Sequence, residues 1–92
     1  MIVEKYSPDD RMKAVVFFRD AGATTSSSYQ LSVLNSNEEF PDSSGNVFIS
    51  YSDILIEWQD NSTLLVFILE DKPIFKQEAM VDSIAIKYFL SP

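Results

Sequence analysis

Ile54-Leu55-Ile56-Glu57-Trp58-Gln59-Asp60-Asn61-Ser62-Thr63-Leu64-Leu65-Val66-Phe67-Ile68-Leu69 reads as a β-hairpin. Ile54, Ile56 and Trp58 alternate with Leu55, Glu57 and Gln59, the period of a half-buried strand. Asp60-Asn61-Ser62 is a tight polar turn. Leu64 to Leu69 is apolar on both faces, as in a strand covered on both sides. Ala14-Val15-Val16-Phe17-Phe18 repeats that second pattern.

Working outward, the same grammar recurs. Ser28 to Leu34 alternates polar and apolar residues. Asn46 to Tyr51 places Val47, Ile49 and Tyr51 on one expected face, and Ser83 to Leu90 does so for Ile84, Ile86, Tyr88 and Leu90. Turn residues separate the runs at Ser7-Pro8-Asp9-Asp10, Asp20-Ala21-Gly22, Pro41 to Asn46 and Asp71-Lys72-Pro73. No apolar stripe holds a 3.6-residue period for ten positions. The most helix expected is a short turn near Asn37 to Phe40. The expectation is an all-β fold: one antiparallel β-sandwich or barrel of about seven or eight strands, spanning residues 1–92 as a single domain.

Two segments resemble each other internally. Ser7 to Phe17 and Trp58 to Ile68 are each a polar turn leading into an apolar strand, with Asp9 and Asp60 at matching places. Two such units cannot close a propeller, so shared hairpin grammar is the favoured reading.

The chain has 92 residues, 46% of them hydrophobic and 23% charged, which is ordinary globular composition. It has no cysteine and no histidine. Disulfides, thiol nucleophiles, the usual zinc sites and histidine triads are therefore excluded. Acid–base chemistry would fall to carboxylates, lysine or tyrosine. Glu57 beside Trp58 lies out of phase with the inward series, and a Ser–Lys pair using Lys13 has no supporting spacing. Gly22 and Gly45 are too isolated for a phosphate loop. Asp60-Asn61-Ser62 lacks the spacing of a calcium loop. No enzyme, catalytic residue, cofactor or metal is expected.

Seven basic against fourteen acidic residues leave a net charge of −7. Such a field repels nucleic acid and anionic membranes and attracts basic proteins. No run reaches the ~20 apolar residues of a membrane helix, so neither nucleic-acid binding nor membrane insertion is expected. The acids are scattered along the chain, so folding must assemble any acidic face. Thr24 to Ser28 is a run of hydroxyl residues behind Gly22-Ala23, either a binding loop or local backbone caps. Trp58, Phe17, Phe18, Phe67 and Phe89 are expected in the core or on a second apolar face. Phe40, Phe48 and Phe75 are expected as exposed anchors.

Taken together, Ser7-Pro8-Asp9, Lys13-Ala14-Val15-Val16-Phe17, Gly22-Ala23-Thr24-Thr25, Gln30 to Leu34, Gly45-Asn46-Val47-Phe48-Ile49, Trp58 before Asp60-Asn61, and Ile84 to Tyr88 have a familiar order. It resembles a small bacterial domain family of unknown function marked by a Gly-Ala-Thr-Thr loop. The resemblance implies no catalytic residues. Its members often carry an amino-terminal signal or anchor, whereas the quoted order begins here almost at Met1.

The leading functional expectation is a small acidic protein-binding inhibitor in the bacterial cytoplasm. By class analogy it is an immunity protein that neutralises a basic nuclease-type toxin by covering its active site. Its partner-binding residues would be Asp20, Thr24, Thr25, Ser26, Glu38, Glu39, Phe40, Asp42, Asp53 and Asp60. The alternative is an envelope or accessory domain, anchored if residues precede Met1, that binds a small ligand or peptide through Gly22 to Ser28. A third is a homodimer formed by edge pairing, with Ile84 to Leu90 as the edge.

Overall fold

The computed structural model of the chain describes residues 2–19, 28–39 and 44–90. They form nine strands: β1 (Ile2–Tyr6), β2 (Met12–Arg19), β3 (Ser28–Asn35), β4 (Phe48–Ser50), β5 (Ile54–Asp60), β6 (Thr63–Ile68), β7 (Ile74–Gln77), β8 (Met80–Val81) and β9 (Ile84–Leu90). There is no helix among the described residues. Ser36-Asn37 forms a turn closed by the Glu38 amide on the Asn35 carbonyl at 3.0 Å, within the stretch that allowed a short helical turn at most. The strands make two sheets, in the orders β1-β2-β3-β4-β7 and β5-β6-β9-β8. The all-β sandwich holds, and it is not a closed barrel.

One core lies between the sheets. Ala14, Val16, Leu31, Val33 and Phe48 from the first meet Ile54, Ile56, Leu64, Val66, Ile84 and Ile86 from the second. Each Val, Leu, Ile or Phe side chain among them contributes about 1.5–3 kcal/mol on full burial. The alternation read from the sequence sets this directly in β6, where every second residue is buried, and in β5, where Ile54 and Ile56 are buried and Trp58 half-buried. Strand β2 is buried on both faces from Lys13 to Phe17, as its unbroken apolar run requires. On its outer face Val15 and Phe17 join Leu34 in a second, smaller cluster. The run in β6 differs: Leu65 and Phe67 on its outer face stay half-exposed.

One pairing departs from an antiparallel fold. Strands β6 and β9 pair in parallel, Thr63 against Ala85 through Ile68 against Leu90. The chain leaves β6, adds β7 to the first sheet, then crosses back as β8 before turning into β9. This crossing fixes the parallel direction of β9. It also closes one side of the sandwich with backbone: the Glu78 amide bonds the Val47 carbonyl at 2.8 Å, and the Ile86 amide bonds the Ala79 carbonyl at 2.9 Å. Tyr88 Oη donates to the Glu78 carbonyl at 2.6 Å, beside the crossing. Strand β9 is therefore not a free edge along its whole length, because β8 pairs with Ile84 and Ala85.

The opposite side carries hydrogen bonds from side chains to backbone groups. Lys5 Nζ donates to the Ile56 carbonyl at 3.0 Å, and Trp58 Nε1 donates to the Lys5 carbonyl at 2.8 Å. Trp58 packs on the core while its indole N–H bridges the two edges.

The phase of β4 corrects another expectation. Phe48 is fully buried and Ile49 half-exposed, so Phe48 is a core residue and not an exposed anchor. The reason lies just before it. Asn46 does a strand's work with its side chain, accepting from the Val33 amide at 2.9 Å and donating to the Val33 carbonyl at 3.0 Å. Regular strand geometry thus begins only at Phe48. Phe75, by contrast, is exposed as expected.

Candidate functional site

The turns at one end of the sandwich are tied to one another by hydrogen bonds. The Asp9 amide, in the β1–β2 turn, donates to Asn61 Oδ1 in the β5–β6 turn at 2.9 Å. The Ser36 amide, just past β3, donates to the Arg11 carbonyl at 2.9 Å. The Ala85 amide, at the start of β9, donates to the Ser62 carbonyl at 2.8 Å. The two internally similar segments are thus the two hairpins whose turns dock here.

These turns gather six of the fourteen acids: Asp9, Asp10, Glu38, Glu39, Asp60 and Asp82, all exposed. Arg11 is the one base among the described residues of the same turns. Two of the other six bases pair with acids elsewhere: Lys13 beside Glu4 on the outer face at 3.9 Å, and Lys72 beside Glu70 at the far end at 3.1 Å.

Local chemistry fixes two of the carboxylates. Asp9 Oδ1 accepts from Ser7 Oγ at 2.8 Å and from the Arg11 amide at 3.1 Å. Asp60 Oδ1 accepts from the Ser62 amide at 2.9 Å and from Ser62 Oγ at 3.1 Å. The Ser7 hydroxyl and then the Arg11 amide hold the Asp9 carboxyl below the usual carboxylate range, and the Ser62 amide does the same for Asp60. Asp10 adopts φ 60°, and Asp82 and Ser83 adopt φ 48° and 67°, so the chain places acids in left-handed turn positions that glycine usually fills.

The sign of the pH response follows. A carboxylate whose pKa is lowered by folding adds stability above its unfolded pKa and loses it as pH falls through the folded value. The urea midpoint, followed from neutrality down to about pH 2, should fall below the usual carboxylate range. In the double variant Asp9→Asn, Asp60→Asn that fall should be shallower. An unchanged slope would remove both turns from the acid response.

The expected partner-binding residues divide. Glu38 and Asp60 lie at the acidic end, with Glu39 following Glu38. Glu38 Oε1 accepts from Asn35 Nδ2 at 2.7 Å, which anchors its turn. Asp53 lies at the opposite end of β5 from Asp60, and its Oδ1 accepts from the Ile54 amide at 2.8 Å. The structure does not bring Asp53 to the same surface, because Asp53 precedes the seven-residue strand β5 and Asp60 ends it. Asp20, Thr24, Thr25, Ser26, Phe40 and Asp42 lie outside the described residues. Asp9, Asp10 and Asp82 escaped the sequence reading. Their signal was their place in tight turns, but nothing in the sequence said that those turns meet.

A cleft of about 140 Å³ opens on the side-chain-closed flank, lined by Val3, Val16, Ile54, Leu55 and Ile56 with Lys5 and Asp53. Both charged groups are committed there to strand carbonyl or amide groups. Among the described residues, no three carboxylates are placed to hold a metal ion, and no buried polar side-chain atom lacks a hydrogen-bond partner. No helix of the described residues is long and apolar enough to cross a membrane. No family model, curated protein or solved structure matches the chain.

Proposed function

We propose that this domain is an acidic protein-binding inhibitor that docks its turn end onto a basic protein, in the manner of a cytoplasmic bacterial immunity protein covering a nuclease toxin's active site. The observation that supports this reading is the gathering of Asp9, Asp10, Glu38, Glu39, Asp60 and Asp82 around the single base Arg11. Carboxylates at this end would take the places of substrate phosphates opposite Arg and Lys. Cross-bonded turns hold the charges before the partner arrives, which reduces the ordering cost of association. A net charge of −7 speeds the encounter.

The test begins by capturing the partner from lysate at low salt and identifying it. Its association rate with the domain is then measured. The triple variant Asp9→Asn, Glu38→Gln, Asp60→Asn should slow association by about tenfold or more at low salt, an effect that fades as salt rises. Asp53→Asn with Glu70→Gln, at the other end, should change the rate less than about twofold. One-to-one suppression of the partner's nuclease activity would support the toxin reading. Equal effects from the two ends would defeat the acidic end as the docking surface.

A further inference from the structure

The outer face of the second sheet is apolar where a solvated face should be polar. Leu55, Phe67 and Phe89 stand side by side across β5, β6 and β9, because Leu55 pairs with Phe67 and Phe67 with Phe89. Leu55 is 59% exposed and Phe89 46%, and the Phe67 and Phe89 rings stack at 5.4 Å. The next row is Glu57, Leu65 and Lys87, in register on the same three strands. On a molecule of net charge −7, these two rows carry one acid and one base.

The order within the rows is self-complementary. A two-fold axis parallel to β6, lying above this face, exchanges the β5 and β9 positions. It sets Glu57 of one copy opposite Lys87 of the other, and the reverse. It also sets Leu55 against Phe89 of the other copy, Phe67 against Phe67 and Leu65 against Leu65. A two-fold interface demands this self-matching of one patch, and face-to-face sheets pack in the same near-aligned way, about 30° apart. The geometry points to face-to-face pairing of two copies of this chain through the outer surface of β5, β6 and β9. The acidic end is not part of that surface, so the pairing stands apart from the inhibitor reading.

Size sets the strength. Three strands about 4.8 Å apart, each rising about 3.3 Å per residue, give a face of roughly 15 by 20 Å. That is below the ~800 Å² per partner of a standard stable interface, so the dimer is reversible. Sedimentation velocity should show monomer at about 10 μM and a growing dimer fraction toward about 1 mM. Leu55→Lys should abolish the dimer without disturbing the core. Either single reversal, Glu57→Lys or Lys87→Glu, should weaken dimerisation by about fivefold or more, and the double reversal should restore it. That restoration would not occur with a general loss of structure or with non-specific stickiness. A chain that stays monomeric to about 1 mM, a dimer that survives Leu55→Lys, or a double reversal that fails to recover would each overturn the proposal.

Discussion

Phe48→Ala should remove a large share of the molecule's stability in a single step. Phe48 is fully buried, pairs with Leu31 in the first sheet and packs its ring 5.7 Å from that of Tyr88 in the second. Truncating a buried phenylalanine costs about 3–5 kcal/mol through lost transfer energy and the cavity left behind. A domain of this length holds about 5–14 kcal/mol in total. The urea midpoint should therefore fall by about a third or more, and Phe48→Leu should fall much less. The same experiment separates the two readings of this residue, because an exposed anchor at position 48 would tolerate alanine with almost no change.

Gly45→Ala should carry the second-largest loss, by crowding and not by cavity. A methyl group on Gly45 would meet the Leu31 carbonyl oxygen at 2.7 Å, the Leu31 nitrogen at 3.0 Å and Gln30 Cβ at 3.1 Å. The first two are backbone atoms of an interior strand and cannot swing away. Gly45 must retreat instead, and its retreat pulls on the Gln30 Oε1 that accepts from its amide at 2.7 Å. It also moves Asn46, whose side chain clamps Val33. Overpacking of this kind costs about 1–3 kcal/mol. Ser44→Ala, at the exposed neighbouring position, should stay within about 0.5 kcal/mol of the parent. Equal midpoints for the two variants would show that the Gly45 segment gives way freely.

These two positions also mark where the sequence stops being legible. The β5–β6 hairpin could be read because period two, a polar turn and β-branched residues all agreed there. The unbroken apolar run from Ala14 made β2 readable as a strand covered on both faces. Phe48 could not be placed by alternation, since Asn46 imitates strand pairing with its side chain and delays the strand. The parallel β6–β9 pair was hidden for a different reason: direction depends on a crossing between sheets, and no local pattern encodes a crossing. The acidic end was half legible. Glu38, Glu39 and Asp60 were candidates on charge and turn position, but the bonds that bring their turns together join residues as far apart as Asp9 and Asn61.

The unequal closure of the sandwich has a mechanical consequence. On one flank the sheets share a continuous chain through Glu78 and Ala79. On the other, Lys5 and Trp58 each make a side-chain hydrogen bond between the sheets and Asn61 Oδ1 accepts from the Asp9 amide, bonds worth about 1 kcal/mol each. The molecule is bound like a book, with a chain-joined spine and three hydrogen-bond clasps. An opening at β1 and β5 should therefore come before one near Tyr88, and it would uncover the buried Val16 and Ile54 that line the cleft there. Breathing, and any enzyme that attacks breathing chains, should therefore begin at the amino-terminal strand and spare the carboxyl-terminal one.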